Sequence, residues 1–165
     1  MKSKIMHYIK EIALFIVTMT IFANAISLYK STDLNKEALS LDKIVLIDNK
    51  EYTLDSDKPI LVHFWATWCP TCKAEASNIS TIAENFQVIT IAVKSGSGND
   101  IEKFLDENSL DFMVINDKKG ALSQRFKIGA YPTTFIYSKN KELVFSDVGY
   151  TTTWGLWLRM WWAGI

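Results

Sequence analysis

The sequence has no excess of charge, because 18 lysines and arginines balance 18 aspartates and glutamates. A chain without a net electrostatic field does not attract nucleic acid or a strongly charged substrate, so we expect no nucleic-acid partner. Internal repeats and low-complexity tracts are missing too, and the 48% of hydrophobic residues excludes a disordered chain. The length of 165 residues allows one domain, with or without a targeting segment.

Histidine and cysteine are scarce, with two of each in the chain. Tetrahedral zinc needs four protein ligands, and His7 is separated from the other three residues by a long apolar run. We therefore predict no structural zinc site within the chain. Cuprous copper, which favours soft thiolates, stays open as a ligand of the two cysteines.

The first thirty residues differ in character from the rest. Lys2, Lys4 and Lys10 precede the run Ile12–Tyr29, which contains no charged residue. About 18 apolar residues are near the minimum for a helix that crosses the hydrocarbon core of a membrane. Because basic residues stay in the cytoplasm, the rest of the chain should be exported. We predict an anchor at residues 1–30, which holds the protein in the inner membrane with its domain in the periplasm.

A cleaved signal peptide is the alternative, since Ala23-Asn24-Ala25 has the small-x-small form of a cleavage site. The apolar run continues past that site to Tyr29, which favours an uncleaved anchor. Residues 31–41 are polar and are predicted to be a short tether, and residues 42–165 a single domain. Outside the cytoplasm, disulfides in this domain can persist.

The exported part alternates predicted strands with predicted helices. Two nearly continuous apolar runs, Pro59–Ala66 and Gln87–Val93, are typical of strands buried on both faces of a sheet. Asn99 and Glu102 suggest a capping box at the start of a helix. The other predicted elements are an early hairpin in "KIVLIDNKEYTL", a helix from the cysteines, a strand in "DFMVIND", a short helix in "KKGALSQRF", a hairpin in "PTTFIYS" and "ELVFSDV", and a terminal helix. This order predicts an α/β fold, in which a mixed sheet is covered on both faces.

Cys69 and Cys72 are separated only by Pro70 and Thr71. As a structural disulfide they would stabilise the fold weakly, because so short a loop has little entropy to lose. A redox pair explains more of the local sequence, since a strand leads into the cysteines and a helix starts there. Free N–H groups and the positive dipole end of that helix stabilise a thiolate on Cys69. We therefore expect Cys69 to be exposed and nucleophilic, and Cys72 to be shielded and to resolve a mixed disulfide.

Two stretches resemble the thioredoxin superfamily. "VHFWATWCPTCKAE" is similar to the strand, turn and helix of membrane-anchored thioredoxin-like proteins, including those that reduce apocytochrome c in cytochrome maturation. "AYPTTF" is similar to the loop whose cis-proline faces the redox pair. Together with the apolar N-terminus and the ending "GYTTTWGLWLRMWW", they make the chain most similar to the suppressor-for-copper-sensitivity protein D type. The resemblance implies a thioredoxin fold.

The resemblance also implies roles for individual residues. Cys69 attacks, Cys72 resolves, and Pro132 is cis, so that the backbone of Tyr131 pairs with an incoming peptide. The resemblance places Trp68 over the redox site. We assign Trp68, Pro70, Thr71 and Tyr131 to substrate binding.

Two further residues near the pair each have a second interpretation. Glu75 matches a glutamate that acts near the thiols as an acid or base in the cytochrome-maturation relatives. Alternatively, it is a solvated residue in the first turn of the helix, where the dipole favours it. His63 stands where cytoplasmic thioredoxins have a buried aspartate, and is either a proton carrier or a hydrogen-bonded core residue.

The predicted terminal helix is rich in tryptophan. Trp154, Trp157 and Trp161 recur at helical spacing, so we predict that they bury one face against the sheet. Met160 and Trp162 fall outside that stripe.

These observations predict a thiol–disulfide oxidoreductase that reduces disulfides of periplasmic proteins. The two sulfurs carry the electrons, so no cofactor is needed. The expected partners are disulfide-containing protein substrates and a membrane thiol reductase that restores the dithiol. An oxidase that donates its disulfide, and a copper-binding or copper-transfer protein, are the alternatives.

Overall fold

The computed structural model describes residues 2–35, 37–41 and 43–165. The predicted anchor begins with Met1 and the predicted domain with Asp42, and both residues lie outside the described ones. The seven strands are β1 (Lys43–Val45), β2 (Glu51–Thr53), β3 (Ile60–Trp65), β4 (Gln87–Val93), β5 (Met113–Asp117), β6 (Thr133–Tyr137) and β7 (Leu143–Val148). The helices are α1 (Lys2–Lys30), α2 (Pro70–Ala83), α3 (Gly98–Glu107), α4 (Ala121–Arg125) and α5 (Thr153–Ala163).

The central sheet has five strands in the order β5-β4-β3-β6-β7, and β1 and β2 form a separate hairpin. Strands β3, β4 and β5 are parallel, whereas β6 pairs antiparallel with both β3 and β7. Every residue of β3 and β4 is buried, as their apolar sequences predict. The mixed sheet with helices on both faces confirms the predicted thioredoxin fold.

The two faces of the sheet are covered by different elements. Alternate residues of β3 and β4 pack against α2, α3 and α5 on one face. The other face packs against the hairpin, against Phe126 at the end of α4, and against Leu34 and Leu39. Since Leu34 and Leu39 belong to the segment predicted as a tether, part of that segment packs against the domain.

The N-cap of helix α3 lies two residues before the predicted one. It is Ser97, whose hydroxyl accepts from the backbone N–H of Asp100 at 3.3 Å. The carboxylate of Asp100 accepts from the backbone N–H of Ser97 at 2.7 Å. The prediction of Asn99 and Glu102 as the capping pair was wrong because Ser97 and Asp100 have the same spacing and close both bonds.

The predicted packing of α5 was also wrong. Leu156 and Met160 are buried, while Trp154 and Trp161 are 77% and 52% exposed and Trp157 is 39% exposed. Leu156, Met160 and Ala163 form a second apolar stripe with helical spacing, so periodicity alone did not identify the buried face. Arg159 lies beside this second stripe, and its Nε is 3.1 Å from Oδ2 of Asp147 in β7.

Helix α1 is the one described helix that is long and apolar enough to cross a membrane, within a candidate span of Met6–Asp33. Its described side chains are almost all exposed. Only its C-terminal end meets the domain, where the backbone N–H of Val148 in β7 donates to Oγ of Ser27 at 2.9 Å. A signal sequence has the same length and composition.

Candidate active site

The cysteine pair lies where β3 ends and α2 begins. Cys69 is the N-cap of α2, Pro70 is its first residue, and Cys72 lies one turn inside. The two cysteines form a disulfide with their Cα atoms 5.2 Å apart, and the backbone N–H of Cys72 donates to Sγ of Cys69 at 3.1 Å. Proline fits the first helical position because its missing N–H has no partner there. The sulfur of Cys69 therefore receives a helix N-terminal donor, which favours negative charge on that atom.

The predicted difference in exposure between the cysteines is not present in this oxidised state. Cys69 is 5% exposed and Cys72 is 2% exposed. Both belong to an apolar cluster with Trp65, Ala66 and other residues of the sheet and α3. The expectation of an exposed Cys69 was wrong because it considered the helix terminus alone, without the side chains that pack around it.

The predicted substrate-binding residues form a rim beside the disulfide. The Tyr131–Pro132 peptide bond is cis, as the resemblance implies. Thr133, the next residue, pairs with Phe64, so the proline loop and the end of β3 are neighbours in the sheet. The ring of Trp68 is exposed and meets the ring of Tyr131 edge-on, with centroids 5.7 Å apart.

Trp68 is held by a backbone contact that the sequence did not reveal. Its Nε1 donates to the backbone carbonyl of Lys94 at 3.2 Å. The next residue, Ser95, accepts from the backbone N–H of Thr67 at 3.1 Å. Exposed Pro70 and Thr71 extend this rim, whose aromatic part is the Trp68–Tyr131 pair.

Glu75 is fully buried, at 0% exposure, so its interpretation as a solvated residue was wrong. Its Oε1 accepts from the backbone N–H of Thr151 at 3.0 Å, and its Oε2 has no hydrogen bond from the described residues. Burial raises the pKa of this carboxyl to about 8, with a smaller contribution from Asp147, against the lowering effect of the Thr151 bond. A buried carboxyl with a pKa near neutrality can both donate and accept a proton.

Residues distant in sequence create this environment. Asn78, three residues after Glu75, donates to the carbonyl of Thr151 at 3.0 Å and accepts from the hydroxyl of Thr153 at 3.0 Å. These bonds hold the loop between β7 and α5 against α2, which places the Thr151 N–H over Glu75. Burial raises the pKa of Asp147, and Arg159 lowers it. Sequence reasoning missed all of these residues except Glu75, since no local motif links them.

His63 is a buried core residue. Its Nδ1 lies 2.9 Å from the hydroxyl of Thr134, its cross-strand neighbour in β6. Burial lowers the pKa of the imidazole to about 3, so the ring stays neutral at physiological pH. Of the two interpretations of His63, the structure favours the hydrogen-bonded core residue over the proton carrier.

Metal ligands are not clustered in the part of the chain that the structure describes. No three His, Cys, Asp or Glu side chains there lie close enough together to hold an ion. The described site brings together two sulfurs, a buried carboxyl and an aromatic rim.

Known proteins share both the sequence pattern and the fold. The chain is 37% identical over 130 residues to a thioredoxin-like protein of Haemophilus influenzae, across 74% of this chain and 77% of that protein. It is 34% identical over 90 residues to the thiol-disulfide oxidoreductase ResA of Oceanobacillus iheyensis, across 52% of this chain and only 47% of that protein. The crystal structure of an exposed lipoprotein thioredoxin from Streptococcus pneumoniae superposes with a TM-score of 0.61 at 24% identity, covering 72% of this chain and 96% of that one.

Fold, cysteine pair and relatives together define an oxidoreductase of the thioredoxin fold. The sequence model of the AhpC/TSA family matches residues 35–146, which is more than half of the chain. The chain belongs to the AhpC/TSA family. The matched region includes the redox pair, Glu75 and the cis-proline loop, and it ends just before Asp147 and α5.

Proposed function

We propose that the protein is a membrane-anchored thiol–disulfide oxidoreductase that reduces disulfides in exported proteins. The observation that carries this proposal is the Cys69–Cys72 disulfide at the N-terminus of α2, next to the cis Tyr131–Pro132 bond. The likeness to ResA supports the reaction class, and the resemblance to the suppressor-for-copper-sensitivity protein D type supports the reducing direction.

The reaction exchanges one disulfide for another. The thiolate of Cys69 attacks one sulfur of a substrate disulfide, forms a mixed disulfide and releases the other sulfur as a thiolate. Cys72 then loses its proton and attacks Sγ of Cys69, which releases the second substrate sulfur. Two electrons have passed to the substrate, and the Cys69–Cys72 disulfide remains. The two substrate thiolates take up their protons from solvent, and the proton that Cys72 loses goes to a nearby base. A membrane thiol reductase supplies two electrons to restore the dithiol.

Glu75 is the proton acceptor for Cys72 in this scheme. Cys72 and Glu75 are three residues apart in α2, so both side chains lie on the buried side of the helix. A carboxyl with a pKa of about 8 is close to the ordinary pKa of a thiol, roughly 8.5, so the proton passes between them at little cost. Its Oε2, which the described residues leave without a partner, is free to take that proton.

The aromatic rim receives the substrate. Exposed Trp68 and half-buried Tyr131 present an edge-to-face pair beside the disulfide, and the backbone of Tyr131 pairs with an extended peptide. Pro70 and Thr71 line the same opening. Recognition through main-chain bonds and aromatic contact accepts many sequences, as a general reductant requires.

Helix α1 anchors this domain to the inner membrane, with residues 31–41 as the connection and residues 42–165 in the periplasm. The helix has Lys2, Lys4 and Lys10 at its N-terminal end and is apolar beyond Glu11, and its described side chains are almost all exposed. The mature protein is expected to retain residues 1–25 and to fractionate with membranes after washing at high salt. N-terminal sequencing tests this, and a soluble form that begins near Ile26 would show cleavage instead.

Reduction of insulin by dithiothreitol, measured with and without the full-length protein, tests the proposed activity. We expect the wild-type chain to accelerate the reduction, and Cys69→Ser to abolish the acceleration because the attacking sulfur is lost. A titration with cuprous copper runs beside it on the same samples. No acceleration by the wild type, together with tight binding of one copper ion by both cysteines, would replace this proposal with a copper-transfer function.

A further inference from the structure

Helix α5 presents an unusual outer surface. Four of the six tryptophans of the chain lie on this 11-residue helix, and all four are exposed. With Leu158 they occupy one side of the helix at spacings of three and four residues, and we call this side the tryptophan face: Trp154, Trp157, Leu158, Trp161 and Trp162. None of its members is charged, so the outer side of α5 is as apolar as the side that packs on the sheet.

An outward side of this composition is expected to be covered. A helix on the surface of a soluble domain normally turns charged and polar residues to water. Here Leu156 and Met160 fill the contact with α2 and the sheet. Trp157 meets the ring of Phe86 edge-on at 6.3 Å, and the other tryptophans of the face are more than half exposed. Contiguous apolar patches of this kind mark contact with another molecule or with a membrane.

The composition of the face fits the interface of a membrane. Tryptophan concentrates at the membrane–water interface, where its ring lies among the upper acyl chains and its N–H reaches the headgroups. Protein interfaces are rich in tryptophan as well, so the choice of lipid rests on where α5 lies in the fold.

The position of α5 in the fold gives a second, independent reason. Helix α1 meets the domain at Val148 of β7, and α5 is fixed to the adjacent residue, Asp147, by the Arg159 ion pair. Helices α1 and α5 therefore attach to neighbouring residues of one edge strand. If α1 spans the bilayer, the end of β7 lies at its surface, and α5 is the helix held beside it.

We propose that the tryptophan face of α5 lies in the interface of the bilayer that α1 crosses. This inference rests on the proposed anchoring role of α1. An 11-residue helix is about 16 Å long, so it makes a second line of attachment that stops the domain from rotating about α1. Because α2 packs on the inner side of α5, α2 and the redox pair at its start then keep one orientation relative to the membrane.

The full-length chain in lipid nanodiscs tests this with its own fluorescence. Helix α1 contains no tryptophan, so all emission comes from the domain. We expect emission to fall when the phosphatidylcholine carries brominated acyl chains, which quench only tryptophans within the bilayer. A matched variant, in which the four tryptophans of α5 are glutamine, should retain Trp65 and Trp68 and show the same emission in brominated and ordinary lipid.

Each other outcome overturns the inference in a distinguishable way. If the chain remains in the discs but bromination does not change wild-type emission, α1 anchors the protein and α5 does not touch lipid. If the tryptophans are then also shielded from acrylamide, a second copy or another protein covers them. If the chain does not stay with the discs at all, the proposed anchor fails together with the docking. Insulin reduction in detergent, unchanged in the glutamine variant, shows that the variant is folded.

Discussion

Cys72→Ser is expected to accumulate mixed disulfides between Cys69 and natural partner proteins, whereas Cys69→Ser traps far fewer. The reason lies in the N-terminus of α2, where Cys69 is the N-cap and its sulfur accepts the backbone N–H of Cys72. That donor and the helix dipole stabilise the Cys69 thiolate, so Cys69 attacks. Without the sulfur of residue 72, the mixed disulfide has no internal thiol to resolve it.

Non-reducing gels of cells that express each variant measure this difference, and mass spectrometry identifies the trapped species. Iodoacetamide should also label Cys69 faster than Cys72 in the reduced wild-type protein. The double variant Cys69→Ser/Cys72→Ser is the control for proteins that adhere without a covalent bond. Equal trapping by both single variants, or faster labelling of Cys72, would reverse the roles of the two residues.

Glu75→Gln is expected to slow the resolution step and to remove an ionisation near pH 8 from its pH profile. Burial holds the pKa of this carboxyl at about 8, so the wild-type residue changes charge in that range and glutamine does not. General-base transfer typically contributes about 10²–10⁴-fold, and we expect a loss near the lower end because thiols are acidic. Stopped-flow measurement of Cys72-dependent release from a mixed disulfide tests this directly.

The same carboxyl should make the free energy of unfolding depend on pH. The pKa of Glu75 is raised from 4.5 to about 8 in the folded protein, so between these values the folded state binds more protons than the unfolded state. Stability therefore falls as pH rises through this window, by up to about 1.4 kcal/mol per pH unit from this group. Glu75→Gln should flatten the fall and be the more stable protein at pH 8.

Glu84→Gln, an exposed position just after α2, is the matched control for both measurements and should change neither. Asp147→Asn is a second comparison, because the charge of Asp147 contributes to the raised pKa of Glu75. It should move the ionisation to lower pH without removing it. An unchanged pH profile in Glu75→Gln would show that the buried carboxyl is not the proton acceptor.

The sheet and the redox pair were predictable because their signals are local. The apolar runs of β3 and β4 by themselves indicate strands in a sheet that is covered on both faces. The order of Cys69, Pro70 and Cys72 by itself indicates the start of a helix. The cis state of the Tyr131–Pro132 bond was different, since the residues themselves favour trans and only the resemblance implied cis.

The environment of Glu75 was not predictable, because it depends on a contact across 76 positions of sequence. The backbone N–H of Thr151 and the neighbouring Asp147 come from the end of β7 and the loop after it. Nothing near Glu75 in the sequence distinguishes a buried carboxyl from a solvated one in the first turn of a helix.

The prediction of which side of α5 is buried was wrong for a related reason. The helix is apolar on two sides, so its periodicity fits either, and the larger tryptophans suggested the wrong one. The side that is buried carries Leu156, Met160 and Ala163, and beside it Arg159 pairs with Asp147 of β7, a residue that α5 reaches only in the folded chain.

The redox state of Cys69 and Cys72 in growing cells tests the central claim, that this pair works as a reductant, most directly. Cells are quenched in acid, free thiols are alkylated with a maleimide reagent that adds mass, and the protein is resolved on a gel. We expect the wild-type pair to be mainly dithiol, because a membrane reductase continually restores it. The double variant Cys69→Ser/Cys72→Ser shows where the unlabelled protein runs on the gel. A pair that is mainly disulfide in otherwise normal cells would contradict the reducing role and indicate a disulfide donor instead.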